Sequence, residues 1–205
     1  MQLILILSTL SAVTAVTTNN LVEASVASHT WWGGCQEEKR TLASVFNSSA
    51  ISSQVNFSFY PTPDCDWPHG DPTVCDPEAS GSKACCESDN IEICALQVTN
   101  CVGGCSGSNL QSLATFYGCF AGKKEGSCSP LRRTSCAAAS NINLSLLNQC
   151  LTNKKVMDAI YREVWTHAKG VQSFPHLVVA GKVADINSRE DLLKVLCKAG
   201  ADSAC

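Results

Sequence analysis

The sequence predicts an α/β chain in which a βαβ half and a C-terminal ββα half are separated by a helical, disulfide-rich insertion. Three observations predict it. Residues 21–26 and 55–60 read as strands on either side of a helical stretch, and that order implies a parallel pair. Residues 177–180 and 183–186 read as a hairpin followed by a helix. Between the two halves the cysteines cluster among Pro, Gly, Asp and Ser, and then helical periodicity returns.

The first element needing an account is not part of the fold. Residues 1–15 carry the apolar run Leu3-Ile4-Leu5-Ile6-Leu7, then small residues, with Val13 and Ala15 at the −3 and −1 spacing of a signal-peptidase site. The run is too short to span a bilayer. Residues 16–205 then form a single domain, lumenal or secreted. Fourteen cysteines in such a chain favour disulfides over metal, because thiols in the oxidising secretory pathway find partners. Sequons at Asn47, Asn56 and Asn143 suit the same compartment, so secretion or a lysosomal or vacuolar lumen is expected. A net charge of −3 without a basic run argues against nucleic acid or membrane as partner.

Taking the elements in order, 21–26 alternates weakly as the first strand, and the helix from Cys35 buries Leu42, Val45 and Phe46. Residues 55–60 alternate cleanly with β-formers and are expected to stop at Pro61. From 61 to 107 an irregular, cross-linked insertion is expected, with one short helix near 90–98. From 108 to 170 the chain reads as helical. Leu110, Leu113, Tyr117 and Phe120 mark one stripe, 144–151 a second helix, and Val156, Ile160, Val164 and Ala168 a third, capped by Asn153 and closed by Gly170. Gly181-Lys182 supplies the hairpin turn. Ser188 with Asp191 resembles a capping box opening the last helix, which ends at Gly200.

The most informative stretch is Trp31-Trp32-Gly33-Gly34-Cys35, where the first strand meets its helix. Strand, helix, strand, helices, hairpin and helix is the thioredoxin topology, and a C-x-x-C pair normally occupies this corner. Here Trp32 stands in the place of the first cysteine and Cys35 in that of the second. The attacking group in thiol-disulfide exchange is a thiolate favoured by a helix N-terminus, and the second cysteine resolves the mixed disulfide. Trp32 has no sulfur, so two-cysteine turnover is not available here. Without Cys35, thirteen cysteines remain, an odd number. Either Cys35 pairs with a distant cysteine, or thiols stay free, or a bond joins two chains.

Over most of residues 21–205 these features resemble the gamma-interferon-inducible lysosomal thiol reductase family. Phe174-Pro175-His176 before Leu177-Val178-Val179 is similar to that family's x-Pro segment and third strand, and Ala201-Asp202-Ser203-Ala204-Cys205 to its cysteine-ending tail. Cys86 and Cys94 keep the spacing that closes the family's signature loop. Asn90 lies one place late, however, and Cys-Gln-His-Gly is missing; His69-Gly70 is only an echo of it, and His69 reads as a solvated loop residue. The resemblance implies a thiol-disulfide oxidoreductase acting on disulfide-containing proteins or peptides, with Cys35 as its catalytic remnant. It also implies a substrate groove at Trp31, Trp32 and a cis Pro175. No cofactor or metal is expected beyond glutathione or another small thiol as reductant. Cys101-Val102-Gly103-Gly104-Cys105 is an alternative redox pair, read more simply as structural cysteines bonded to others in the loop. Two further readings stand beside the reductase: a redox-inactive peptide-binding protein, and a secreted effector that kept only the scaffold.

Overall fold

A computed structural model describes residues 21–29, 33–62, 83–121, 130–168, 170–171 and 173–205. The expected signal peptide, Trp31, Trp32 and His69 lie outside these residues. The element order is β1 (Val22–His29), α1 (Gly33–Phe46), α2 (Ser49–Ser52), β2 (Val55–Thr62), α3 (Lys83–Val98), α4 (Gly107–Phe120), α5 (Arg133–Ala139), α6 (Leu144–Thr152), α7 (Lys154–Ala168), β3 (His176–Val179), β4 (Lys182–Ala184) and α8 (Arg189–Ala199). The architecture is mixed α/β, mostly helical.

The four strands form one mixed sheet in the order β2-β1-β3-β4. β1 and β2 are parallel in the register Val22↔Val55 to His29↔Thr62, as a βαβ start requires. β3 runs antiparallel to β1, and β4 antiparallel to β3. Two residues join the hairpin, and they are Ala180 and Gly181 rather than Gly181 and Lys182. Both have positive φ, at 48° and 76°, the geometry whose twist suits a two-residue hairpin.

Both strands of the parallel pair outrun their expected ends. β2 passes through Pro61 because side chains extend the ladder: Thr62 Oγ1 donates to the Ser28 carbonyl at 3.2 Å, and His29 Nδ1–H donates to the Thr62 carbonyl at 3.0 Å. Proline sits near the strand's end, where the loss of one donor is tolerated. The helix expected near 90–98 is the C-terminal part of α3, whose first turns begin at Lys83.

The expected apolar stripes are the core. Leu42, Val45 and Phe46 of α1, and Leu110, Leu113 and Tyr117 of α4, are fully buried. Aromatic rings join the layers: Phe46 meets Phe57 edge-on at 4.9 Å, Phe57 meets Phe59 at 4.7 Å, and Phe59 meets Tyr117 at 4.7 Å. Two caps fall where the sequence puts them: Asn153 Oδ1 accepts from Val156 N–H and Ser188 Oγ from Asp191 N–H. A third, at α6, has Asn143 Oδ1 accepting from Leu146 N–H.

α4 lies close against α1 because residue 118 is glycine. A Cβ there would stand 2.3 Å from the Ala43 Cβ and 3.4 Å from the Lys39 carbonyl. Gly118→Ala should therefore destabilise the protein by about 1–3 kcal/mol, overpacking outweighing the helix propensity that alanine adds. A urea titration checks it; an unchanged or higher midpoint would show that α1 and α4 can move apart freely.

Four disulfides hold the described part together. Cys94–Cys150 ties α3 to α6, Cys119–Cys136 ties α4 to α5, and Cys197–Cys205 ties α8 to the C-terminus. Cys101 bonds Cys105, its own neighbour, rather than other loop cysteines. Such usage belongs to a chain folding in an oxidising compartment. No described helix is long and apolar enough to cross a membrane.

Candidate functional site

The C-terminal end of β1, the first turn of α1 and the segment before β3 converge. β3 pairs with β1 as far as Ala27↔His176, which brings Pro175 to the strand's end. The Phe174–Pro175 peptide is cis. A Cβ on Gly34 would lie 3.6 Å from Pro175 Cδ, so this proline abuts the start of α1. The Phe174 ring meets the His29 ring at 4.2 Å. Trp31 and Trp32 belong to this corner by sequence and lie outside the described residues.

Cys35 sits in the first turn of α1, has no exposed surface and is a free thiol. Of the alternatives the odd cysteine count left open, a structural bridge at Cys35 is thus not the one adopted. Burial pushes the thiol's pKa up, outweighing a backbone hydrogen bond from His29, the Ser28 hydroxyl and the Lys39 charge, which favour the thiolate. The thiol is protonated at neutral pH and is a weak nucleophile.

His29 is held neutral. Its pKa falls to about 4, mainly because burial disfavours the charged ring, with the Lys39 ammonium adding to the effect. With Nδ1–H given to the Thr62 carbonyl, the ring's orientation is fixed.

Beneath the corner lies a buried ion pair. Lys39 Nζ stands 2.8 and 2.7 Å from the two carboxylate oxygens of Glu92 on α3, and 3.2 Å from the His29 carbonyl. Tyr117 Oη donates to the Glu92 carbonyl at 2.8 Å. Beside it is a carboxyl without such help. Glu38 is 5% exposed, and neither of its oxygens has a hydrogen-bond partner among the described residues. Burial lifts its pKa to about 8 against the pull of Lys39. Glu38 faces a cavity of about 320 Å³ shared with Pro175, Leu177 and residues 184–187.

Neither Glu38 nor Lys39 is singled out by motif, and the run Glu37-Glu38-Lys39-Arg40 looks like a solvated surface. Helical phase was the available signal. Lys39 and Leu42 follow Cys35 by four and seven residues, which puts the charge on the stripe that faces the core.

The alternative redox pair is elsewhere and closed. Cys101 and Cys105 are 1% and 8% exposed, and Cys105 pairs with Phe57 on the outer edge of β2 through hydrogen bonds of 2.8 and 3.0 Å. Gly104, at φ +122°, leaves room for Ser58: a Cβ there would come within 2.8 Å of Ser58 Oγ. The loop is a clasp that covers a sheet edge. Among the sequons, Asn47 and Asn143 are exposed. Asn56 is half-buried on β2, with its Nδ2 donating to Glu23. No cluster of three or more His, Cys, Asp or Glu among the described residues could hold a metal.

Compared with models of known protein families and with curated proteins, the chain matches none.

Proposed function

We propose that this chain is a thioredoxin-like protein similar to the gamma-interferon-inducible lysosomal thiol reductases. In it, dithiol turnover has been lost or strongly weakened, while the groove beside Pro175 still receives extended, cysteine-containing peptides. One observation carries the reading: Cys35 is a free, fully buried thiol in the first turn of α1, next to Gly34, which abuts Pro175, and there a resolving cysteine would stand. The β2-β1-β3-β4 order, with one parallel pair and a C-terminal hairpin, supports the same ancestry. A buried thiol with a raised pKa lacks the thiolate that attack on a protein disulfide needs. Trp31 and Trp32 would add apolar contact area to the groove.

Insulin-disulfide reduction at acidic and neutral pH tests it, with parent, Cys35→Ser, Cys101→Ser and Trp32→Cys compared. Parent, Cys35→Ser and Cys101→Ser should stay at the buffer rate, whereas Trp32→Cys should gain turnover, since it returns a sulfur to the position before α1. Peptide binding should survive Cys35→Ser. A second reading, reduction through Cys35 alone with glutathione, is favoured by the same free thiol. Turnover in the parent that disappears in Cys35→Ser would establish that reading and overturn the first.

A further inference from the structure

We infer that the cavity between α1 and the segment linking β4 to α8 is a subsite for a basic side chain, arginine above all, of the peptide lying in the Pro175 groove. This deepens the peptide-binding reading and rests on it. The cavity, of about 320 Å³, is at the small end of ligand sites and of a size for one long side chain rather than a whole cofactor. Pro175, Leu177, Ala184 and Ile186 give it apolar walls along which a methylene stem can lie. Glu38 and Asp185 give it two carboxyl groups, and no cation lines it among the described residues.

Glu38 is the independent observation. A buried carboxyl with both oxygens unpartnered is costly, and native structures pair such groups. Lys39, its neighbour on α1, is already committed to both oxygens of Glu92 and to the His29 carbonyl. Among the described residues, the groups facing Glu38 are then Lys39 and Cys35 on its own helix and, across the cavity, Asp185; none of them supplies a free positive charge. A guanidinium entering past the exposed Asp185 would give Glu38 two parallel N–H donors, the geometry in which arginine and carboxylate pair best. Because the cation favours the ionised carboxylate, binding near neutral pH should release a proton.

The test uses blocked alanine pentapeptides with a central Arg, Lys, citrulline or Leu, and N-acetyl-arginine methylamide against its citrulline counterpart. Binding to the full chain is measured by calorimetry in two buffers of different ionisation enthalpy. The Arg pentapeptide should bind at least about tenfold more tightly than the citrulline one, a fold-change within the range of a charged hydrogen-bonded pair. It should release a proton, and Lys should fall between the two. Glu38→Gln should abolish the discrimination, and Asp185→Asn, an exposed change that leaves packing alone, should reduce it. Thermal unfolding confirms that both variants are folded. Peptides that bind without preferring arginine, or a preference kept in Glu38→Gln, overturn the subsite while leaving the groove standing. If the arginine amide binds and the pentapeptides bind no more tightly, the subsite stands and the groove reading falls; if no probe binds, both fall.

Discussion

Glu38→Gln should be more stable than the parent by up to about 5 kcal/mol at pH 8.5 and no more stable at pH 4.5, with the gap opening between. The reason is linkage. The ordinary pKa of 4.5 holds in the unfolded chain, and burial raises it to about 8 in the folded one. Below 4.5 both states keep the proton, and nothing is lost. From 4.5 to about 8 the unfolded state releases it while the folded state retains it, so stability falls by about 1.4 kcal/mol per pH unit. His29 acts in the opposite direction. Its pKa drops from 6.5 to about 4, so stability falls as pH is lowered through that interval. Between 4.5 and 6.5 the two slopes cancel, and the parent should show a mildly acidic plateau that declines on either side. In Glu38→Gln the plateau should disappear, leaving stability that rises from pH 4 to 6.5 by about 3 kcal/mol and then holds. Urea unfolding at five pH values checks both curves. A parent whose midpoint rises from pH 5 to 6.5 and then holds to pH 8 would show that Glu38 is ionised when folded. The proposed cation subsite gives a reason for keeping the less stable residue.

How much of this was legible follows from what each residue's signal depends on. Stripes such as Leu110, Leu113 and Tyr117, the Ser188–Asp191 cap and the Val55-to-Tyr60 alternation depend on local periodicity, so their elements were readable directly. The ends of β1 and β2 were not, because they depend on a pairing: Ser28 and His29 look like loop residues until Thr62 satisfies them. The turn was misplaced by one residue because Ala180 adopts the positive φ that a sequence argument reserves for glycine or asparagine. Of the candidate site, Cys35 was readable from the corner's spelling, whereas Pro175 was reached only through the resemblance of Phe174-Pro175-His176 to the x-Pro segment of the thiol reductases. Glu38 and Glu92 were not, since the partner of Lys39 lies 53 residues away on a helix whose early turns gave no periodic signal.

Lys39→Met should cost about 3–5 kcal/mol, the price of stranding the Glu92 carboxylate in the interior. Lys39 and Glu92 are 1% and 0% exposed at the side chain, so water cannot replace the lost partner. The His29 carbonyl loses a donor in the same step. Glu92→Met alone should cost a comparable amount by leaving the buried ammonium without its counter-charge. The double variant Lys39→Met with Glu92→Met separates attraction from burial. Two apolar side chains of similar length remove both charges together, so the double variant should recover most of the loss and show a coupling of at least about 2 kcal/mol in a double-mutant cycle. Additive losses would mean that the two residues stabilise the protein through separate contacts, with Lys39 acting on the end of β1 rather than on α3. Coupled losses would make the pair the strut that sets α1 against α3 and, through the His29 carbonyl, fixes the first turns of α1, Cys35 among them, at the end of β1. Cys35 alkylation by iodoacetamide reads that positioning directly: slow in the parent, it should accelerate in Lys39→Met under conditions where the chain is still folded.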